Sequence, residues 1–391
     1  MDNQSFDDLS AALETSGADG LFDKLVSSLE KEGDYAVLFE ALLMKIRHEL
    51  GLPLVQTGLS GTVPKELESV YEQKVIEACR HIGQCYIDAG DLSSAFQYCN
   101  MVGEFEPLRE AIENVTIDED DPEAAENLIE IAVTQGVHPQ KGLALILDYY
   151  GTCQAITACE GIINQGTPKA ARDACVRLLV QRLHEELTRN LAAVIEDKEG
   201  SAPAAASVPL LLKDRAWLFD NDNYHIDTSH LSSVVRMARL LEKCQETFLA
   251  IQLCEYGRRL SEQYRYPEAA PFEDIYEDSL IYLRALAGIE INKGVEHFLA
   301  KAERSDPMET GIFPWQVAIS LLQAAGRVDE AVALARSKMN RDAGNSLQSP
   351  VNQLCQETGQ FTEMADLARR RGDLVSYAAA LLQRETTDSK A

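Results

Sequence analysis

Apolar residues return at three- and four-residue spacings along almost the whole chain, as in Phe22, Leu25, Val26 and Leu29 and again in Phe39, Leu42, Leu43 and Ile46. That spacing stripes one face of an α-helix, and stretches alternating at period two, the mark of a half-buried strand, are missing. The pattern predicts an all-α protein. Short polar breaks divide the stripes at Gly33-Asp34, Gly90-Asp91, Asp121-Pro122, Gly136, Gly166-Thr167-Pro168, Asp306-Pro307, Gly326-Arg327, Gly359-Gln360 and Gly372-Asp373. Glycine supplies the left-handed residue that closes a helix, and Asp or Thr beside proline caps the next. Helices of about 10 to 20 residues joined by such turns make antiparallel hairpins. The longest run opens at Thr167-Pro168 and passes Leu179, Leu183, Leu187, Leu191 and Ile195. It predicts one helix of about 30 residues, about 45 Å long at 1.5 Å per residue.

Only Glu199 to Pro209, rich in Ala and Ser with two prolines, has low complexity, so residues 199–212 are expected to link a helical segment over 1–198 to another over 213–391. A second irregular stretch, Leu52 to Pro64, reads as an inserted surface loop.

The most specific pattern begins at Cys79 and continues through Ile82-Gly83, Tyr86, Gly90, Ala95, Cys99, Val102 and Pro107. This resembles the tetratricopeptide (TPR) repeat, a helical hairpin of about 34 residues, here over 76–109. Cys79 and Cys99 stand where the repeat places a large apolar and an aromatic residue. A second copy runs from Trp315 through Ala318, Leu322, Gly326, Ala331 and Ala335, without the Leu-Gly pair or the final proline. Gly359, Phe361 and Ala365 begin a poorer third copy about one repeat later, so the likeness spans 312–380 in this half. The resemblance implies a TPR-like α-solenoid whose concave face takes a protein or peptide. Carried over by position, that face would hold Glu77, Arg80, Gln84, Ile87 and Asp88 in the first repeat and Phe313, Gln316, Ser320, Gln323 and Ala324 in the second. The first set mixes charges and lacks the several basic residues that a clamp for an acidic C-terminal peptide needs.

Composition narrows the partners. With 63 acidic against 36 basic side chains in 391 residues, the net charge is −27. Such a surface repels nucleic acids and anionic lipid, and no window approaches the roughly 18 to 20 apolar residues that cross a bilayer. The N-terminus carries no secretory signal, and nine cysteines, none in a two-residue-spaced pair, read as small buried hydrophobes. A cytoplasmic protein without nucleic-acid contact or membrane insertion is expected.

Candidate chemistry is sparse. The polar stretch Asp220 to His230 would offer Tyr224, His225, Asp227 and His230 to a ligand or transition metal. An EF-hand is excluded because His225 replaces the turn glycine and Leu231 the bidentate glutamate. Otherwise Asp227, Thr228 or Ser229 caps the helix that follows, with the histidines packed against neighbours. His184 reads as solvated, and His138 and His297 show no acid partner along the chain. Asp118 to Glu123 suits a helix start or a basic partner, and Arg369-Arg370-Arg371 a helix end. Tyr256, Tyr264, Tyr266, Phe272, Tyr276 and Tyr282 interleave with Arg258, Arg259 and Arg265, residue types enriched at interface hot spots. No phosphate-binding glycine loop with Lys-Ser or Lys-Thr, no Gly-x-Ser-x-Gly elbow and no Cys-x-x-Cys is present.

The expectation is a non-catalytic interaction scaffold without cofactor, binding through Arg80, Gln84, Asp88, Arg258, Tyr264, Tyr266, Gln316 and Gln323. A metal-dependent enzyme or ligand binder at the 220–230 loop and a coat-like structural solenoid are the alternatives.

Overall fold

A computed structural model describes residues 3–54, 63–116, 122–203, 207–338 and 349–388. Among them the chain is helical with no strand; a lone β-bridge pairs Pro267 with Asp274. No described helix is long and apolar enough to cross a membrane. The acidic run at 118–121 falls outside the described residues, as do 55–62 of the inserted loop and 204–206 of the Ala/Pro/Ser stretch.

Two compact units divide at Arg172 and Asp173. The first holds α1 (Asn3–Glu32), α2 (Tyr35–Glu49), α3 (Lys65–Asp88), α4 (Leu92–Val102), α5 (Glu106–Asn114), α6 (Pro122–Ile129) and α7 (Pro139–Asn164). Successive helices pack on one another from α1 through α5, and α6 packs on α7. Leu29, Leu38, Ala41 and Ile82 make one core, and Ala95, Leu108, Ile112, Leu128 and Ile131 another. Two of these helices are broken inside their length: α1 at Gly17 (φ +70°), within a polar stretch, and α7 at Gly151 (φ +80°), where the apolar pattern reads as continuous. A left-handed residue ends the helical ladder wherever it falls.

The second unit begins within α8 (Lys169–Glu199), whose 31 residues match the long predicted run. It continues with α9 (Val208–Leu212), α10 (Thr228–Ala238), α11 (Gln245–Gly257), α12 (Ile275–Leu286), α13 (Ile291–Arg304), α14 (Pro307–Thr310), α15 (Phe313–Ala324), α16 (Val328–Lys338), α17 (Pro350–Thr358), α18 (Phe361–Arg371) and α19 (Leu374–Asp388). Val208, Leu211 and Leu212 of α9 are buried, so part of the low-complexity stretch is packed on α11 rather than extended. From α10 to α13 and again from α15 to α19 each helix packs on the next, and α13 packs on α15. Phe298, Ala318, Leu322, Ala331, Val351 and Leu367 share one core.

Gly-Asp turns explain how single dipeptides build these hairpins. At Gly90 (φ +80°) the chain turns left-handed, and the Asp91 N–H donates back to Tyr86 O at 3.0 Å, closing α3. The Asp91 carboxylate then accepts the Ser94 N–H at 3.0 Å and opens α4. Gly372-Asp373 repeats this between α18 and α19, where Asp373 N–H reaches Ala368 O at 2.9 Å and its carboxylate accepts from Ser376 N at 3.0 Å. Each device satisfies backbone groups that both helix ends would otherwise leave bare.

Candidate functional site

The 220–230 loop folds inward. His225 is buried, its backbone N–H donates to Tyr256 Oη at 2.7 Å, and its Nδ1 lies 3.2 Å from the same hydroxyl. Burial lowers the affinity of His225 for a second proton and raises the Tyr256 phenol well above its ordinary range. Asn190 of α8 fixes the loop from the other side by donating to His225 O at 2.7 Å. Asp227 caps α10, accepting from Ser229 N at 2.8 Å and His230 N at 3.0 Å; the hydrogen bond from the Ser229 hydroxyl holds its carboxyl below the usual range. His225, Asp227 and His230 therefore do not converge. Among the described residues no three His, Cys, Asp or Glu side chains gather where they would hold a metal.

The aromatic-basic cluster and this loop form one locus. Tyr224 sets its ring edge-on to Tyr264 at 5.0 Å, and the Thr228 and Tyr266 hydroxyls are 3.1 Å apart. Much of the cluster is interior: Tyr256, Phe272, Tyr276 and Tyr282 are buried. Its arginines hold the chain together, Arg259 donating to Leu212 O at 3.1 Å and Arg265 to Leu260 O at 3.0 Å, while Arg258 pairs with Glu277. Tyr224 and Tyr266 remain exposed, and Tyr264 is half-buried between them.

In the first unit, Arg80 pairs with Glu104 through two hydrogen bonds, of 2.8 Å from Nε and 2.5 Å from Nη2, and Gln84 donates to Asp88 at 2.8 Å. These side chains are exposed and satisfied by neighbours, whereas Ile87 packs into the core beside α5. A cavity of about 350 Å³ in this unit instead lies between Gly90, Leu92, Val115, Asn127 and Ile131.

Four residues carried over for the second repeat do share a concave surface. Phe313, Gln316, Ser320 and Gln323 recur at three- and four-residue steps along one face of α15. A cavity of about 210 Å³ holds Gln316, Ser320 and Gln323 with Leu354 and Glu357 of α17. A second, of about 350 Å³, holds Phe313, Gln316 and Ser320 with Arg239, Phe272 and Tyr282. A third, of about 250 Å³, holds Ser229, Ser233 and Tyr266. The first two share Gln316 and Ser320, and the last two share Arg236 and Glu268, so the three form one depression. It brings Tyr266, Gln316 and Gln323 together; Tyr224, Arg258 and Tyr264 are not among its lining residues.

Arg236, Arg239 and Glu268, which line it, escape the sequence reading. Arg239 is mostly buried, lies 4.0 Å over the Phe272 ring, and turns Nη2 to both Glu268 oxygens at 2.9 and 2.8 Å. Arg236 shares its helix face with Ser229, Ser232 and Ser233 and reads as an ordinary polar position, and Glu268 lies 29 residues from Arg239 along the chain, so no local window signals either arginine.

Three histidines differ from expectation. His184 is buried, with Nε2 3.1 Å from Gln252 Oε1, because α8 is covered on that face. His138 lies 2.9 Å from Glu113, and His297 2.8 Å from Asp278, acids brought from neighbouring helices. Asp278 also accepts from Lys301 at 2.7 Å, and this buried cluster ties α12 to α13. Six cysteines are buried, Cys85 and Cys244 are half-buried and Cys153 is exposed; burial pushes the Cys175 thiol up to about 12 and that of Cys355 to about 11. Arg369, Arg370 and Arg371 close α18, where cations favour the helix end.

No family model matches the chain, and comparisons with curated proteins and with solved structures also find no match.

Proposed function

We propose that the chain is a non-catalytic interaction scaffold whose second unit stacks TPR-like helical hairpins and captures a protein or peptide segment in the depression over α10, α12, α15 and α17. The observation that carries this reading is that two cavities adjoin along one face of α15, sharing Gln316 and Ser320, and that the second adjoins a third at Arg236 and Glu268. Phe313, 47% exposed at the rim, supports it further, since a large ring left half in water gains from being covered. Packing of each helix chiefly on its chain neighbours is what a stack of repeats requires, and such stacks leave long surfaces open to partners.

The test is quantitative co-purification followed by titration of the recovered partner. Phe313→Ala combined with Gln323→Arg is expected to weaken binding at least about tenfold, through lost apolar cover and a cation in the groove, with helicity unchanged. Equal affinity for the parent and the double variant would reject this surface.

A further inference from the structure

Two cations line the depression, and in so acidic a chain one of them, Arg239, is met by a carboxylate, that of Glu268. Arg236 is the exception. It is exposed on α10, its Nη2 donates only to Ser233 Oγ at 3.1 Å, and no carboxylate among the described residues lies within ion-pair distance. Glu268 does not fill that role, because both its oxygens are directed at Arg239 Nη2. Arg236 stands where the cavities of about 250 and 350 Å³ join. Beyond it the larger cavity is walled by Phe272, Tyr282, Phe313 and Val317.

Resting on the capture reading above, we infer that the occupant is a peptide segment carrying one acidic side chain near a large apolar one. The carboxylate meets Arg236, and the apolar side chain enters the cavity between Phe272, Tyr282 and Phe313. A guanidinium offers paired N–H donors that match a carboxylate, and a charge beside an apolar wall is screened less than one in open water. The half-buried side-chain amide of Gln316, which makes no hydrogen bond within the chain among the described residues, lies at the next junction, where it meets a peptide group of the occupant. The charge of −27 sets a further limit. A segment with several acids is repelled by the rest of the surface, so the acidic residue is single and its neighbours are neutral or basic.

The experiment titrates the full chain into fluorescein-labelled peptides on a neutral Ala/Ser/Gln background, with one glutamate and one phenylalanine stepped apart residue by residue. One spacing is expected to bind best, and replacing its glutamate by glutamine to weaken it about tenfold, the low end for a hydrogen bond to a charged group. Arg236→Ala is expected to abolish that preference for glutamate, and Arg236→Lys to keep part of it. Phe313→Ala is expected to weaken all the phenylalanine peptides about fivefold. If Arg236→Ala leaves the preference intact while Phe313→Ala still weakens binding, the acidic anchor is wrong and capture in the depression stands. If no peptide binds, both fall. Tighter binding of a phosphoserine peptide than of its glutamate counterpart would overturn the carboxylate assignment in favour of phosphate.

Discussion

Removing the Tyr256 hydroxyl tests how the loop at 220–230 is held. Tyr256 is fully buried, and its one oxygen serves two groups of His225, the backbone N–H at 2.7 Å and Nδ1 at 3.2 Å. Tyr256→Phe keeps the ring and its packing against Phe219, 5.4 Å away, but leaves both groups without the hydroxyl. An unmet buried backbone donor costs about 1–3 kcal/mol, and the second lost bond about 1 kcal/mol. The expected loss is therefore about 2–4 kcal/mol. Urea unfolding followed by tryptophan fluorescence reads it cleanly, because Trp217 and Trp315 both belong to the second unit. Tyr266→Phe is the control: Tyr266 is 41% exposed and bonds only to the Thr228 hydroxyl, so about 0.5 kcal/mol or less is expected. A Tyr256→Phe variant within about 0.5 kcal/mol of the parent would refute the reasoning, since the His225 N–H would then have another partner.

Acid should expose the same locus. Burial lowers the His225 pKa in the folded state, so the unfolded chain takes up the proton first as pH falls. Its contribution is complete above about pH 6.5 and is lost as pH drops through the folded pKa; parallel stability curves for the parent and His225→Gln below that pH would contradict it. Two glycine substitutions should differ in sign. A Cβ on Gly257 would lie 2.6 Å from Cγ and Cε1 of the buried Tyr276 ring, so Gly257→Ala should cost about 1–3 kcal/mol in urea unfolding. On Gly83 the nearest atoms are Tyr98 Cβ at 3.6 Å and Cys99 Sγ at 3.7 Å, ordinary contact, so Gly83→Ala in α3 should be neutral or stabilising by up to about 1 kcal/mol. Destabilisation there would mean that the α3–α4 approach is tighter than these distances.

Helix ends were the most legible feature, because a turn glycine followed by a polar residue is local chemistry. Gly33, Gly90, Gly326, Gly359 and Gly372 all adopt positive φ at predicted turns. Gly17 and Gly151 do so as well; Gly17 lies in the polar stretch Glu14 to Gly20, a break that the sequence reading passed over, and Gly151 lies inside an apolar stripe that hides it. Which face of a helix is covered was less legible. His184 stands in a polar-looking run beside two glutamates and is buried because Gln252 of α11 meets it. Tyrosine and arginine suit an interface and a helix crossing equally, and the 256–282 cluster is mostly the latter. Phe313, Gln316, Ser320 and Gln323 line cavities along α15 and were named from the register that the TPR resemblance implies. Arg236 was missed because its distinction lies in the absence of a carboxylate neighbour across the fold, which no local window contains.

Capture in the depression is tested most directly by photo-crosslinking in the cells that make the protein. A benzophenone amino acid replaces Ser320 at the shared wall of two cavities and, separately, Glu303 on the exposed side of α13. Capture there predicts a polypeptide adduct of defined mass from position 320 and none from 303. The same adducts from both positions, or none from either, would contradict it.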